Sequence, residues 1–136
     1  MRIYLDSCVF ISFVKKEVGF HWRGLFIEAD GFFERVGKNE DTVVLSELFF
    51  NEVRKIIQME AEDVVGVFDA LHVKTERYSV RGALFTRQFK QKGIHQMDAT
   101  HLAISIQAEC QCVVTFNLKD FERQQIIQVY EPATFQ

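Results

Sequence analysis

The chain has 136 residues, 48% of them hydrophobic and one of them proline, so it can form one domain with a sizeable core and lacks the composition of a disordered protein. Its formal net charge of −3 argues against a strongly basic nucleic-acid-binding module, so nucleic acid would have to bind through a local basic strip or bound cations. No apolar run reaches the roughly 18 residues of a membrane span, and an acid interrupts the N-terminal segment too early for a signal peptide. We therefore expect a cytoplasmic protein without a membrane partner.

The first half of the chain alternates short apolar runs with segments of helical periodicity. Ile3–Leu5 is an apolar run that predicts a buried strand, and Cys8–Val14 is predicted to be a helix. Apolar residues at helical spacing predict a second helix over Phe20–Val36. The β-branched run Thr42–Leu45 predicts a second strand, and a helix capped by its serine is predicted over Ser46–Met59.

The second half continues this alternation. Its predicted elements are, in chain order, a helix over Ala61–Ala70, a short strand near His72–Lys74, helices over Val80–Lys92 and Asp98–Glu109, a strand over Cys112–Thr115, a turn or helix over Leu118–Phe121 and a strand over Ile126–Tyr130. Apolar strands that alternate with helices indicate a parallel sheet covered on both faces. The sequence therefore predicts a single α/β domain over residues 1–136.

Polar side chains follow two of the predicted strands. Asp6 directly follows the first strand, and Asn117 and Asp120 follow Cys112–Thr115. Parallel sheets bind ligands beyond the carboxyl ends of their strands, so these residues are candidates for a site at one edge. Each aspartate also has a simple structural explanation, because Asp6 could cap the next helix and Asp120 could belong to a turn.

Among the acidic residues, Glu52 has the position that is most informative about function. On a helical wheel it falls inside the apolar arc of its predicted helix, between Leu48 and Ile56. A buried carboxylate costs several kcal/mol unless it is paired, protonated or bound to a metal ion. The position favours a functional role over the alternative of a buried ion pair.

Asp98 opens a predicted helix and borders its apolar stripe beside Leu102. A first-turn aspartate also stabilises the helix dipole, so position alone does not make it functional. His101 is expected to project away from the stripe and, like His95, to be an ordinary solvated or satisfied histidine. The two histidines have no recognisable zinc-site spacing with a third ligand.

Four segments, in order over nearly the whole chain, resemble the PIN domain, and in particular the compact VapC-like toxin ribonucleases of toxin–antitoxin pairs. They are Ile3–Ile11, which resembles the opening strand with its aspartate; Val43–Ser46 followed by Glu52-Val53, which resembles the second strand and its helix-borne glutamate; Met97-Asp98-Ala99 with His101-Leu102-Ala103, which resembles the Asp-Ala-x-His-x-Ala helix; and Val114-Thr115-x-Asn117-x-x-Asp120-Phe121, which resembles the final site segment.

The resemblance implies a three-layer α/β/α sandwich with a central parallel sheet, and a metal-dependent endoribonuclease that hydrolyses single-stranded or looped RNA. Its catalytic and metal-binding acids would be Asp6, Glu52, Asp98 and Asp120. Oxygen ligands suit Mg²⁺ or Mn²⁺ rather than zinc. We expect Asp6 and Asp98 to bind the principal ion, and Glu52 and Asp120 to complete its shell or help recruit a second one.

The chain departs from the family pattern beside two of these acids. Ser7 and Cys8 stand where the family often has Thr-Asn, and Asn117 stands where many relatives have an acid. We expect Ser7, Thr115 and Asn117 to orient the ligands by hydrogen bonding.

Partners follow from the resemblance and from the composition. RNA would be the substrate, and a cognate antitoxin would cover the site. Arg81, Arg87 and Lys90 lie on one predicted helix as candidate RNA contacts, although a solvated helix face is the alternative. Fourteen phenylalanines exceed what the core of so short a chain is expected to use, which favours a homodimer.

Two alternatives compete with the ribonuclease. An aspartyl phosphoryl-transfer enzyme would use Asp6 as nucleophile, but its pattern needs a second aspartate where this chain has Cys8. A PIN-like scaffold that binds RNA or a protein without cutting would account for Asn117 and for the negative net charge.

Overall fold

A five-stranded parallel sheet forms the centre of the computed structural model, which describes residues 1–19, 22–79 and 85–136. The strands are β1 (Arg2–Leu5), β2 (Thr42–Ser46), β3 (Lys74–Tyr78), β4 (Cys112–Val114) and β5 (Gln128–Tyr130). Their order is β3-β2-β1-β4-β5, and every pair is parallel. The predicted α/β class and parallel sheet are confirmed.

Helices connect these strands and cover the sheet. They are α1 (Ser7–Lys15), α2 (Leu25–Lys38), α3 (Glu47–Ile57), α4 (Ala61–Ala70), α5 (Thr86–Gln91), α6 (Gln96–Gln107) and α7 (Leu118–Phe121). Ser46 caps α3 as predicted, because its side chain accepts a hydrogen bond from the Phe49 backbone N–H. Within the described ranges, no helix has the length and hydropathy to cross a bilayer.

The alternation of side chains along β1 explains the two cores of the sandwich. Ile3 and Leu5 are buried in one apolar cluster, whereas Tyr4 between them is buried in the other. Successive residues of a strand point to opposite faces, so each cluster fills the space between one face of the sheet and its helices. This alternation also points the hydroxyl of Tyr4 toward α6, where it bonds His101.

The phenylalanines are largely core residues. Nine of the thirteen phenylalanines within the described residues are buried, and Phe68 stacks on Phe10 at 5.3 Å while meeting Phe33 edge-on. Among the described residues no phenylalanine is strongly exposed. Most of the phenylalanines are core residues as expected, and the homodimer inferred from the remaining ones stays a prediction.

One predicted helix begins later than expected, and another lies partly outside the described residues. Helix α2 begins at Leu25 rather than Phe20, and Gly24, just before the helix, forms an isolated antiparallel bridge with Val18. Residues 20 and 21 lie outside the described part. The helix expected over Val80–Lys92 is described only as α5, and residues 80–84, including Arg81, also lie outside it.

Candidate active site

The site lies at the carboxyl edge of the sheet, where the central strand ends. Asp6 directly follows β1, and its backbone N–H bonds Val114 of β4. It occupies the N-cap position of α1, yet its side chain makes no capping hydrogen bond. The simple explanation of Asp6 as a helix cap is therefore wrong, and its carboxylate is available for other partners.

Thr115 fixes one oxygen of this buried carboxylate. The Thr115 hydroxyl donates to Oδ2 of Asp6 at 2.7 Å and accepts from the backbone N–H of Asn117 at 3.0 Å. The thiol of Cys8 lies 3.4 Å from the same Oδ2. These contacts leave Oδ1 of Asp6, which lies 3.7 Å from Nε2 of His101, as the oxygen that faces the rest of the site.

Glu52 reaches the site from α3. Its Oε1 accepts hydrogen bonds from the Ser7 hydroxyl and from Nε2 of His101, both at 2.8 Å. Burial alone would raise the pKa of Glu52, but the bonds from His101 and Ser7 and the charge of His101 outweigh it and lower the pKa. The lowered pKa keeps this carboxylate ionised at neutral pH. The side chain is 21% exposed, so it lies at the border of the buried face.

The wheel of α3 placed the buried face slightly wrongly. The buried residues of this helix are Phe49, Phe50 and Val53, whereas Ile56, expected in the same arc, is 53% exposed. Glu52 therefore borders the apolar face instead of lying at its centre.

Asp98 and Asp120 add negative charge from α6 and α7. Burial is the main cause that raises the pKa of Asp98, and the charges of Asp6 and Asp120 raise it further. Asp98 is half-buried in the first turn of α6, whereas Asp120 is exposed. Asp120 therefore contributes to the field of the site from its solvent-facing rim.

His101 is the site residue that sequence reasoning missed. The expectation that it projects away from the apolar stripe is wrong, because it is 1% exposed and lies between Glu52 and Tyr4. A signal was present in the sequence, since Asp98 and His101 are three residues apart and such a spacing places two side chains on one helix face. His95, in contrast, is exposed and accepts from the backbone of Met97 as the N-cap of α6.

The donor set fits a divalent cation. Asp6, Glu52 and His101 each offer a ligand atom within 4.8 Å of the others, the one such group found within the described residues. Burial, and after it the charges of Asp6 and Asp120, raise the pKa of Asp98, and a bound cation would relieve the repulsion between these carboxylates. The oxygen donors suit Mg²⁺ or Mn²⁺.

The remaining predicted residues lie around this group. Ser7 and Thr115 are buried and bonded to Glu52 and Asp6, whereas Asn117 is exposed. Arg87 and Lys90 are exposed on α5. Their roles stay predictions.

Comparisons with known proteins agree at the level of the fold. No protein-family model and no curated protein matches the sequence. A chain of VapBC-1 from nontypeable Haemophilus influenzae is similar to 98% of this chain over 100% of its own length, with 18% identity and a TM-score of 0.66. A chain of VapBC2 from Rickettsia felis, solved with a promoter DNA fragment, gives 95% and 97% coverage, 17% identity and a TM-score of 0.63. The chain therefore has the α/β/α fold of these two chains, the PIN-like fold that the sequence resemblance implied.

Proposed function

We propose that this protein is a metal-dependent endoribonuclease and the toxin of a toxin–antitoxin pair. The observation that carries the proposal is the gathering of Asp6, Glu52 and His101 within 4.8 Å, beside a half-buried Asp98 whose pKa is raised by burial and by Asp6 and Asp120. Carboxylates that repel one another at the carboxyl edge of a parallel sheet are typical of a divalent-cation site.

When bound, Mg²⁺ or Mn²⁺ supplies charge neutralisation at a phosphate and activation of a water molecule. Asp6, held by Thr115 through Oδ2, would offer its Oδ1 to this cation, and Asp98 in the first turn of α6 would be a second ligand. Glu52 is held ionised by Ser7 and His101. The protein thereby fixes its ligand oxygens before the substrate arrives, which is how an active site supports phosphoryl chemistry by positioning.

The substrate under this proposal is single-stranded or looped RNA, whose exposed bases are the usual target of RNA-binding proteins. Arg87 and Lys90 are exposed on α5, a helix that packs against α6, which carries Asp98. We propose that they contact phosphates on the approach to the site. Arg81 belongs to the same proposal from its sequence position alone.

The antitoxin partner is inferred from the likeness to chains of two VapBC structures together with the sequence resemblance. Such a partner would cover the carboxyl edge. Co-purification of the protein with the product of a neighbouring gene, and loss of RNA cleavage in that complex, would support this part of the proposal.

The ribonuclease is tested with metal-stripped protein and a mixed single-stranded RNA, with and without Mn²⁺. Asp6→Asn and Asp98→Asn are expected to lose more than about 100-fold in rate, because even partners outside the ligand shell of a metal cost about 10–100-fold when removed. Asp69→Asn is the matched control, since Asp69 is an exposed acid on α4. Equal rates for all three variants would refute the assignment.

A binding scaffold is the second candidate, favoured by one observation: the rim position that many relatives fill with an acid is the exposed Asn117. Ligand binding to the native state raises stability by RT ln(1 + [L]/Kd), about 2.7 kcal/mol at a hundred times Kd. A protein that cuts no RNA and whose Tm is unchanged by Mn²⁺ would be such a scaffold.

A further inference from the structure

A buried series of hydrogen bonds runs from the first turn of α3 through Tyr4 and His101 to the candidate metal ligand Glu52. It begins at the Phe49 backbone N–H, which donates to the Ser46 hydroxyl at 3.1 Å. Ser46 bonds the hydroxyl of Tyr4 at 2.9 Å, and that hydroxyl bonds Nδ1 of His101. Tyr4 and His101 are at most 1% exposed, so water does not compete for these bonds.

The hydrogen bond between His101 and Glu52, the last of the series, determines that one ring proton of His101 lies on Nε2. Nε2 of His101 is 2.8 Å from Oε1 of Glu52, a carboxylate oxygen that only accepts hydrogen bonds. A lone pair on Nε2 would face the lone pairs of that oxygen, so Nε2 carries a proton and donates it. This holds whether Nδ1 accepts from Tyr4 in a neutral ring or donates to Tyr4 in a charged one.

In the neutral imidazole ring of His101, the hydroxyl of Tyr4 favours the tautomer that carries its proton on Nε2. If Ser46 donates to Tyr4 and Tyr4 donates to Nδ1, each hydroxyl hydrogen in the series has an acceptor. A hydrogen bond at one ring nitrogen of a histidine sets which nitrogen carries the proton. Tyr4 thereby keeps the remaining proton of His101 on the side of Glu52.

The bonds from His101 also determine which oxygen of Glu52 is free. Oε1 accepts from both Ser7 and His101, whereas no donor within the described residues bonds Oε2. Because the carboxylate is 21% exposed, Oε2 is open to a ligand.

We propose that Tyr4 and His101 are positioning residues that hold Glu52 by a proton on His101 Nε2, so that Glu52 offers Oε2 to the cation and His101 is not itself a ligand. The inference rests on the proposed metal site. The candidate ligand atoms of three residues lie within 4.8 Å of one another. Under this proposal Asp6 and Glu52 are the ligands, and His101 orients Glu52.

The first test measures Mn²⁺ affinity by electron paramagnetic resonance, without RNA. His101→Ala is expected to weaken binding about 10–100-fold, the usual cost of losing a group that orients a metal ligand. His101→Gln is expected to regain most of the affinity, because its side-chain amide can donate to Glu52 in place of Nε2–H, and Tyr4→Phe is expected to fall between wild type and His101→Ala. His72→Gln is the control, since His72 is exposed between α4 and β3.

The second test reads the proton directly by nitrogen-15 resonance of labelled imidazoles in the wild-type protein. The chain has four histidines, and the His101 signal is identified as the one retained in each of the single variants His21→Gln, His72→Gln and His95→Gln. We expect Nε2 to be protonated in the metal-free protein and to stay protonated when Mg²⁺ is added. Loss of that proton on metal binding, with His101→Gln as weak as His101→Ala, would make His101 a ligand and overturn the proposal. The wild-type spectrum keeps the proposal testable even if a variant at this buried position fails to fold.

The two proposals fail in different ways. A protein that cuts RNA with Mn²⁺ while His101→Ala and Tyr4→Phe bind the ion like wild type overturns the positioning role alone. A protein that shows the expected affinities and proton but cuts no RNA overturns the ribonuclease alone. A protein that binds no Mn²⁺ overturns both.

Discussion

Replacing Thr115 by valine removes one hydroxyl from the candidate site and leaves the shape of the side chain nearly unchanged. In the wild type this hydroxyl donates to Oδ2 of Asp6 at 2.7 Å and accepts from the backbone of Asn117 at 3.0 Å. Thr115 is fully buried, so water does not reach the hydroxyl position and cannot replace the lost donor.

The magnitude follows from these two bonds. A hydrogen bond to a charged group contributes about 1.5–3 kcal/mol, whereas the exposed Asn117 can turn its N–H to water at little cost. We therefore expect Thr115→Val to lower the free energy of unfolding by about 2 kcal/mol. At this chain length, 1 kcal/mol corresponds to about 3–5 °C in Tm, so the expected shift is about 6–10 °C. Because Asp6 also loses its orientation, Mn²⁺ affinity should fall about 10–100-fold.

Urea unfolding in EDTA measures the first effect, and electron paramagnetic resonance of Mn²⁺ measures the second. Thr115→Ser is the matched control, because it keeps the hydroxyl and removes only a methyl group. If the valine variant unfolds at the same urea concentration as the serine variant and binds Mn²⁺ as tightly as wild type, Thr115 does not hold Asp6 and the reasoning about its orientation is wrong.

Four further predictions test other parts of the structure. Asp98→Asn should raise the Tm of the metal-free protein at neutral pH by about 2–6 °C. The pKa of Asp98 is higher in the folded than in the unfolded chain, so the wild-type protein loses stability as pH rises through the folded-state pKa. In a pH series, the higher Tm of the Asn variant should therefore disappear below the unfolded-state pKa of Asp98. Gly93→Ala should cost about 1–2 kcal/mol in urea unfolding, because residue 93 has φ +84°. Phe68→Ala should cost about 3–5 kcal/mol by the same measurement, since Phe68 is fully buried between aromatic rings. Arg87→Ala and Lys90→Ala, made in the Asp98→Asn protein, should each reduce the slope of log RNA affinity against log salt by about 0.7 without changing Tm; an unchanged slope would show that α5 is a solvated face.

The sheet could be predicted from the sequence where strands are apolar and not where one is polar. Thr42–Leu45 contains three β-branched residues and lies in the interior of the sheet as part of β2. The edge strand β3 begins at Lys74 and continues to Tyr78, beyond the three residues expected near His72–Lys74. Its Lys74, Glu76 and Arg77 are exposed, because an edge strand needs apolar contacts on fewer sides. The polar residues leave β3 without the apolar pattern by which the other strands could be predicted.

The candidate site could be predicted in part for a similar reason. Asp6 was accessible to sequence reasoning because it ends an apolar strand, and Glu52 because it falls in the apolar arc of its helix, whereas Asp98 was singled out by the family resemblance. The burial of His101 was not accessible to such reasoning, because α6 is buried around much of its circumference: Ala99, His101, Leu102 and Ser105 are all buried. Periodicity distinguishes the two sides of a helix only when one side faces water.

The hydrogen bond between Thr115 and Asp6 spans 109 residues of sequence, and this separation has a consequence for protein synthesis. At about 5–20 residues per second, the ribosome makes Thr115 about 5–20 s after Asp6. Until then β1 has no β4 beside it, so the nascent chain carries Asp6, Glu52 and eventually Asp98 without the strand that completes their edge. A truncated product ending before Cys112 would therefore contain most of the acids and no assembled site.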